Sequence, residues 1–147
     1  MIRLAHATAL IHDLLSCWAV AVRARDAGAV IATYAAEVVN YDIAPPLRLI
    51  GEEALALSGY EGWFATWAGP IGVEHHEFRI FAGDDLAFAH GLMHLTGKRT
   101  DGEHTDIWVR QTFGMCRKPE GWRILHEHTS VPFYMDGSYR AAVDLKP

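Results

Sequence analysis

Gly121-Trp122-Arg123-Ile124-Leu125-His126-Glu127-His128-Thr129-Ser130-Val131-Pro132 reads as a strand stopped by a proline, opened by an aromatic residue and carrying three ionisable side chains in a row. Side chains alternate along a strand, so Trp122, Ile124, His126 and His128 are expected on one side of the pleat and Arg123, Leu125, Glu127 and Thr129 on the other. Each face is then only half apolar, as in a sheet that lines something. Three further strand-like runs precede it, at 73–81, 86–96 and 105–117, divided by the turn-forming stretches 82–85, 97–102 and 119–121. Links this short imply an antiparallel meander.

The first half of the chain has a different period. From 7 to 25, Ile11, Leu14, Leu15, Trp18 and Val22 recur three or four apart, which predicts a helix. Asp26 offers a capping oxygen, and Val30, Ile31 and Tyr34 continue at helical spacing to about 36, a short second helix. Residues 38–43 are β-branched and aromatic and end at Pro45-Pro46, a short strand running into a rigid turn with Asp42 near its mouth. Glu52 and Glu53 favour a helix start, and Tyr60, Phe64 and Trp67, with Trp63 beside them, predict a strongly aromatic third helix. The order is ααβαββββ, an α+β domain whose three helices cover one face of a curved antiparallel sheet.

Composition narrows the class. The chain has 147 residues, half of them apolar and 21% charged, without repeats or low-complexity tracts, and one domain spanning 1–147 is expected. A formal net charge of -5 without clustered Lys and Arg argues against nucleic acid as a partner. Cys17 and Cys116 are too few for a disulfide framework, which points to a reducing, cytoplasmic setting. The apolar stretch 14–22 is shorter than a membrane span and reads as a packed helix.

This order of elements, with Gly83-Asp84-Asp85 at one hairpin and the closing run from Gly121 to Ser130, resembles the nuclear transport factor 2-like superfamily, and within it a SnoaL-like or ketosteroid isomerase-like member. The resemblance runs from the first helix to Pro132 and leaves the tail 133–147 unassigned. It implies a cystatin-like cone of bent sheet and three helices around an apolar pocket, on which isomerases, cyclases, dehydratases and non-catalytic association modules are all built. It also puts Asp42 where a ketosteroid isomerase-like enzyme keeps its carboxylate base. Trp18 stands where that family's helix-one tyrosine is expected, and no acid follows Asp106 on the strand that carries the family's second carboxyl group. The closing strand also resembles that of the calmodulin-dependent kinase association domain, but Met93, Phe113 and Thr129 stand where its pocket arginines would be.

On 86–96 the set Ala87, Ala89, Gly91, Met93 and Leu95 lacks bulk and leaves room for a cavity, or else lets a helix pack closely. With the family's parity, the cavity face then gains Val109, Gln111 and Phe113 from one strand and Leu125, Glu127 and Thr129 from the other. Asp42 and Glu127 become a pair of carboxylates in an apolar cone, where burial raises their pKa values toward neutrality. Each also has a structural reading: Asp42 as a turn former, Glu127 in a salt bridge to Arg110 or Arg123. His76 shares parity with Phe78 and Ile80 and is the candidate second proton carrier, or simply a hydrogen-bonded histidine. Trp18, Tyr60, Trp63, Phe64 and Trp67, joined by Met93, Gln111, Phe113 and Thr129, are the candidate pocket lining, or core.

His126 and His128 have the spacing of a strand-borne metal pair but lack a third ligand by spacing, and neither a metal nor a cofactor is expected. They and His90 and His94 read as a polar seam on the outer sheet face, where a second subunit is expected to dock. The expected activity is acid–base chemistry on a small hydrophobic molecule, with Asp42 as base and His76 or Glu127 returning the proton. The alternative is a non-catalytic binding or oligomerisation module of the same fold.

Overall fold

The computed structural model describes residues 2–147 and contains α1 (Ile2–Ala24), α2 (Ala27–Ile31), β1 (Tyr34–Tyr41), β2 (Leu49–Ile50), a 3-10 turn (Gly51–Glu53), α3 (Leu57–Phe64), β3 (Gly72–Ala82), β4 (Leu86–Lys98), β5 (His104–Lys118) and β6 (Gly121–Ser130). The expected order is present, with the two-residue β2 added. One six-stranded sheet runs in the order β2-β1-β6-β5-β4-β3. The meander β3 to β6 is antiparallel, and β1 joins its edge parallel to β6. The helices cover one face, where Ile11, Leu15, Trp18 and Val22 of α1 enter the same buried cluster as Val73, Val109, Phe113 and Ile124 of the sheet.

Helix α1 is longer than its apolar spacing predicts. The segment Arg3–Ala24 is long and apolar enough to cross a bilayer by length and composition, with a mean hydropathy of 1.3. Its Ile11, Leu15, Trp18 and Val22 nevertheless belong to the domain's own core. The helix ends in a Schellman arrangement: Asp26 N–H donates to Ala21 O and Arg25 N–H to Val22 O, both at 3.0 Å. Arg25 takes the left-handed conformation that glycine usually supplies there, with φ 56°. Its guanidinium is held by Trp67 O at 3.1 Å and by Gly69 O, tying the helix end to the loop before β3.

The second helix stops earlier than predicted. It ends at Ile31, and Tyr34, expected to continue it, opens β1 opposite Ile124 of β6. Sheet pairing overrides a helical spacing that rested on a single residue. The tail also has structure: Phe133 bridges to Ala141, Ala142 is buried, Tyr134 bonds Asp144, and Lys146 pairs with Asp106 at 3.2 Å.

Two bulges decide which side chains face inward. On β6, Met115 pairs with Ile124 and Gly114 with His126, so Leu125 is the extra residue. Trp122 and Ile124 therefore share the inner face with Glu127 and Thr129, whereas uninterrupted alternation put the two pairs on opposite faces and Leu125 inward. On β3, Glu77 has φ 54°, and the register shifts between His76 and Arg79. Val73 and His75 point inward before this bulge, and Ile80 and Ala82 after it, through their partners Leu95, Met93, Ala89 and Ala87.

Candidate functional site

Among the described residues the inner face holds one buried carboxyl group. Glu127 is 5% exposed and lies on β6 opposite Phe113 of β5 and Asn40 of β1. The phenol of Tyr34 donates to its Oε2, and the amide Nε2 of Gln111 donates to Oε1 at 2.9 Å. Tyr34 in turn accepts from the indole Nε1 of Trp18 at 2.8 Å. The salt bridge to Arg110 or Arg123 is not formed: the Arg123 guanidinium bonds Trp122 O, and Arg110 is exposed.

Burial raises the Glu127 carboxyl from 4.5 to about 7, against the opposing pull of hydrogen bonds from Tyr34, Gln111 and Thr129; the nearby charge of Asp42 adds to the rise. A carboxyl poised there is divided between acid and base at neutral pH. The same burial, followed by the Glu127 charge, pushes the Tyr34 and Tyr60 phenols upward, so both stay protonated as donors. Tyr60 reaches this cluster from α3 and is half-buried.

Asp42 lies past the end of β1 and is solvent-accessible as a residue, its Oδ1 accepting the Ile43 N–H at 2.7 Å. It therefore forms the turn that its structural reading described. Enough protein surrounds the carboxyl that desolvation still raises it, countered by the Ile43 and Ala44 amides. Asp42 and Glu127 are thus coupled through charge, one exposed past the end of β1 and one buried on β6.

His76 is not on the inner face. It lies against Trp108 at 4.7 Å and beside Glu74 at 3.4 Å on the outer face, because the β3 bulge reverses the parity that linked it to Phe78 and Ile80. Its neighbour His75 points inward, stacked between Trp18 (5.6 Å, 15°) and Phe78 (4.3 Å, 27°). Desolvation lowers His75 to about 4, so it is neutral at neutral pH. Tyr34 and His75 are the residues the sequence reading missed. The Val73, His75 alternation was a usable signal for the second; nothing local marks the first.

Of the expected lining, Trp18, Phe113, Gln111, Thr129 and Met93 are buried on the inner face. Phe64 and Trp67 are buried too, but Trp67 meets Gly97 and lies under the Arg99 guanidinium, 4.3 Å from the ring centroid, eight positions along β4 from Ala89. Trp63 is half-buried and packs on Phe64 and Trp67. These three pack on one another within the same core, toward the Gly97 end of β4. Trp18, His75, Phe78 and Phe113 fill the space beside Glu127 with mutually contacting rings.

On the outer face His94 stacks on Trp108 at 4.3 Å and pairs with Asp106 at 2.7 Å, His90 stacks on Phe81 and Phe88, and His126 and His128 flank Tyr41. His126 Nδ1–H donates to Val39 O at 2.7 Å. Among the described residues no cluster of three His, Cys, Asp or Glu side chains has metal-binding geometry. A groove of about 820 Å³ opens on this side at the β3 bulge, between Arg79, His90, Leu92 and Arg110.

A family model described as SnoaL-like domain matches residues 11–134. An NTF2-like protein of unknown function from Pseudomonas putida KT2440 is 33% identical, with 97% of this chain and 98% of that one covered at a TM-score of 0.86. A ketosteroid isomerase-like protein from Erwinia carotovora atroseptica is 24% identical over 84% of this chain and 94% of that one, with a TM-score of 0.70. An NTF2-like protein with a cystatin-like fold from Novosphingobium aromaticivorans is 17% identical over 99% of this chain and 93% of that one, with a TM-score of 0.75. No curated protein matches the chain in sequence.

Proposed function

The chain belongs to the SnoaL-like domain family, and on that premise we propose that it is a cofactor-independent acid–base enzyme of isomerase, cyclase or dehydratase type acting on a small apolar or aromatic molecule. The observation that carries this reading is Glu127, a buried carboxyl near pKa 7 held between Tyr34 and Gln111. Its ionised form takes a proton from a carbon acid or a water. The protonated form returns that proton to the product. Tyr60, kept as a phenol by burial, donates to the oxygen on which charge develops. Asp42, exposed past the end of β1, acts through its charge, favouring the protonated form of Glu127. His76, on the outer face, has no part in this chemistry.

The test is turnover of a panel of apolar enones, epoxides and β-hydroxy ketones by the wild type and by Glu127→Gln. Loss of general acid–base catalysis costs about 10²- to 10⁴-fold. A Glu127→Gln protein that turns over an accepted substrate at the wild-type rate overturns the assignment.

A second reading, a non-catalytic ligand-binding or oligomerisation module, is favoured by the packing of Trp18, His75, Phe78 and Phe113 beside the carboxyl. Under it, the same panel yields binding without turnover. Both readings use a homodimer formed through the outer sheet face, where Phe81, Phe88 and Leu86 are exposed among the histidines. Two free thiols, Cys17 and Cys116, fit a reducing cytoplasmic setting, with neither nucleic acid nor membrane as partner.

A further inference from the structure

We propose that His75, carrying its proton on Nε2, is a positioning residue for Glu127 that acts through Gln111. The inference rests on the reading of Glu127 as the working carboxylate and adds a component on a different strand.

Gln111 is 1% exposed and gives its amide nitrogen to Glu127 Oε1 at 2.9 Å. That bond fixes the amide, since the flipped form would set two acceptor oxygens against each other when Glu127 is ionised. Gln111 Oε1 is then turned away from the carboxylate, buried, and among the described residues without a hydrogen bond of ordinary geometry. His75 Nε2 is likewise buried and, among the described residues, without a hydrogen bond of ordinary geometry. A buried polar group left alone is costly, so two such atoms on neighbouring side chains call for a common explanation.

The register makes them neighbours. Gln111 lies opposite Gly91 on β4, and His75 opposite Met93 two residues along, so the two side chains meet diagonally across β4 on the inner face. Gly91 has no side chain, and the Phe78 ring that stacks on His75 takes the space over it: a Cβ there would lie 2.3 Å from Phe78 Cδ2. Phe78 and Trp18 clamp the imidazole on both sides and fix its plane, leaving its edge nitrogens for hydrogen bonding. Burial, then the charges of Arg23 from α1 and His76 from β3, oppose the imidazolium, while the neighbouring Gln111 side chain favours it.

A neutral imidazole has one proton to place. On Nε2 it meets the Gln111 oxygen as donor. On Nδ1 it would leave the Nε2 lone pair facing another acceptor. The Nε2–H form therefore makes a chain from His75 to Gln111 to Glu127 Oε1, matching the chain from Trp18 to Tyr34 to Oε2. The stacked rings of Trp18 and His75 close these two chains into a loop. Asp42, Tyr60 and Thr129 are the other groups that act on the carboxyl, and among the described residues no Arg or Lys bonds it. Its ionised form depends on these donors.

The experiment is nitrogen NMR on the full-length wild type at about pH 9, where both groups have lost their titratable protons. The Nε2–H tautomer of His75 is expected, and the Nδ1–H tautomer overturns the proposal. A carboxyl carbon titration of Glu127 in His75→Phe, which keeps the stack and deletes the N–H, is expected to show a rise of about threefold in the protonation constant. An unchanged titration in a folded variant also overturns it. Both readouts are independent of turnover, so the failure of the enzyme reading, an inactive wild type, is distinguishable from the failure of this one, an Nδ1–H tautomer or an unmoved titration.

Discussion

The indole nitrogen of Trp18 lies 2.8 Å from the phenol oxygen of Tyr34, and by occupying that oxygen as acceptor it leaves the phenol's proton for Glu127. A residue of α1 thereby sets the direction of a bond between β1 and β6. The arrangement needs distant parts of the chain together, since Tyr34 on β1 reaches Glu127 on β6 through the parallel pairing of the two strands.

Tyr34→Phe tests this relation. It removes a donor from the carboxylate and leaves the Trp18 N–H buried without its acceptor, so a loss of roughly 1–3 kcal/mol is expected. The loss should be larger at pH 8, where Glu127 is mostly ionised, than at pH 5, where it is mostly protonated. Urea unfolding at the two pH values measures the difference, and equal losses would show that Tyr34 does not bond the ionised form preferentially.

Glu127 and His75 give the folding stability opposite dependences on pH. The Glu127 carboxyl is raised from 4.5 to about 7, so the folded state holds more protons and this contribution declines as pH rises through that window. At about 1.4 kcal/mol per pH unit, the full decline is roughly 3 kcal/mol. His75 is lowered from 6.5 to about 4, so its contribution is full above 6.5 and is lost as pH falls toward 4. The two partly cancel between about 4.5 and 6.5. Glu127→Gln should therefore gain stability relative to wild type as pH rises to 8, and a constant difference between the two proteins would contradict a raised Glu127.

Arg25 separates backbone strain from side-chain tethering. Its left-handed φ of 56° costs an L-residue about 1 kcal/mol that glycine avoids, while its guanidinium holds the carbonyls of Trp67 and Gly69. Arg25→Gly and Arg25→Ala both lose the tether, and only Ala retains the strain. The Ala variant should be less stable by about 1 kcal/mol in thermal or urea unfolding. Equal stabilities would remove backbone strain from the account of this turn.

The order of elements was legible because strand lengths, turn residues and helical spacing are local properties, and the four meander strands fall within a residue or two of their expected bounds. The site was legible only in part. Glu127, Gln111, Phe113 and Thr129 kept their expected face because no bulge separates them from one another. His75 and His76 exchanged roles, and Trp122 and Ile124 changed sides, because one extra residue in a strand inverts everything beyond it and neither Glu77 nor Leu125 advertises a bulge. Tyr34 followed a helical period for one step, and its strand identity comes from a partner about ninety residues away.

The outer face offers a direct test of assembly. Phe88 is exposed beside Phe81, stacked at 4.8 Å, on a face crossed by His90 and His94. A homodimer formed there should give twice the chain mass in light scattering, and Phe88→Glu should shift the population toward monomer without unfolding it. A wild type that is monomeric at all concentrations would leave this face without its proposed partner.

Asp42 is where the competing readings of the carboxylates separate. As the base, its loss would cost about 10²- to 10⁴-fold in turnover. As a turn former past the end of β1 it acts on Glu127 only through charge, raising the Glu127 carboxyl. Asp42→Asn keeps an oxygen for the Ile43 N–H and removes that charge, so the turn is preserved while the Glu127 titration moves to lower pH. The pH–rate profile of an accepted substrate should then shift acidward, with a change in maximal rate of less than about tenfold, because the proton acceptor itself is intact. A loss of a hundredfold or more with an unmoved profile would return the role of base to Asp42.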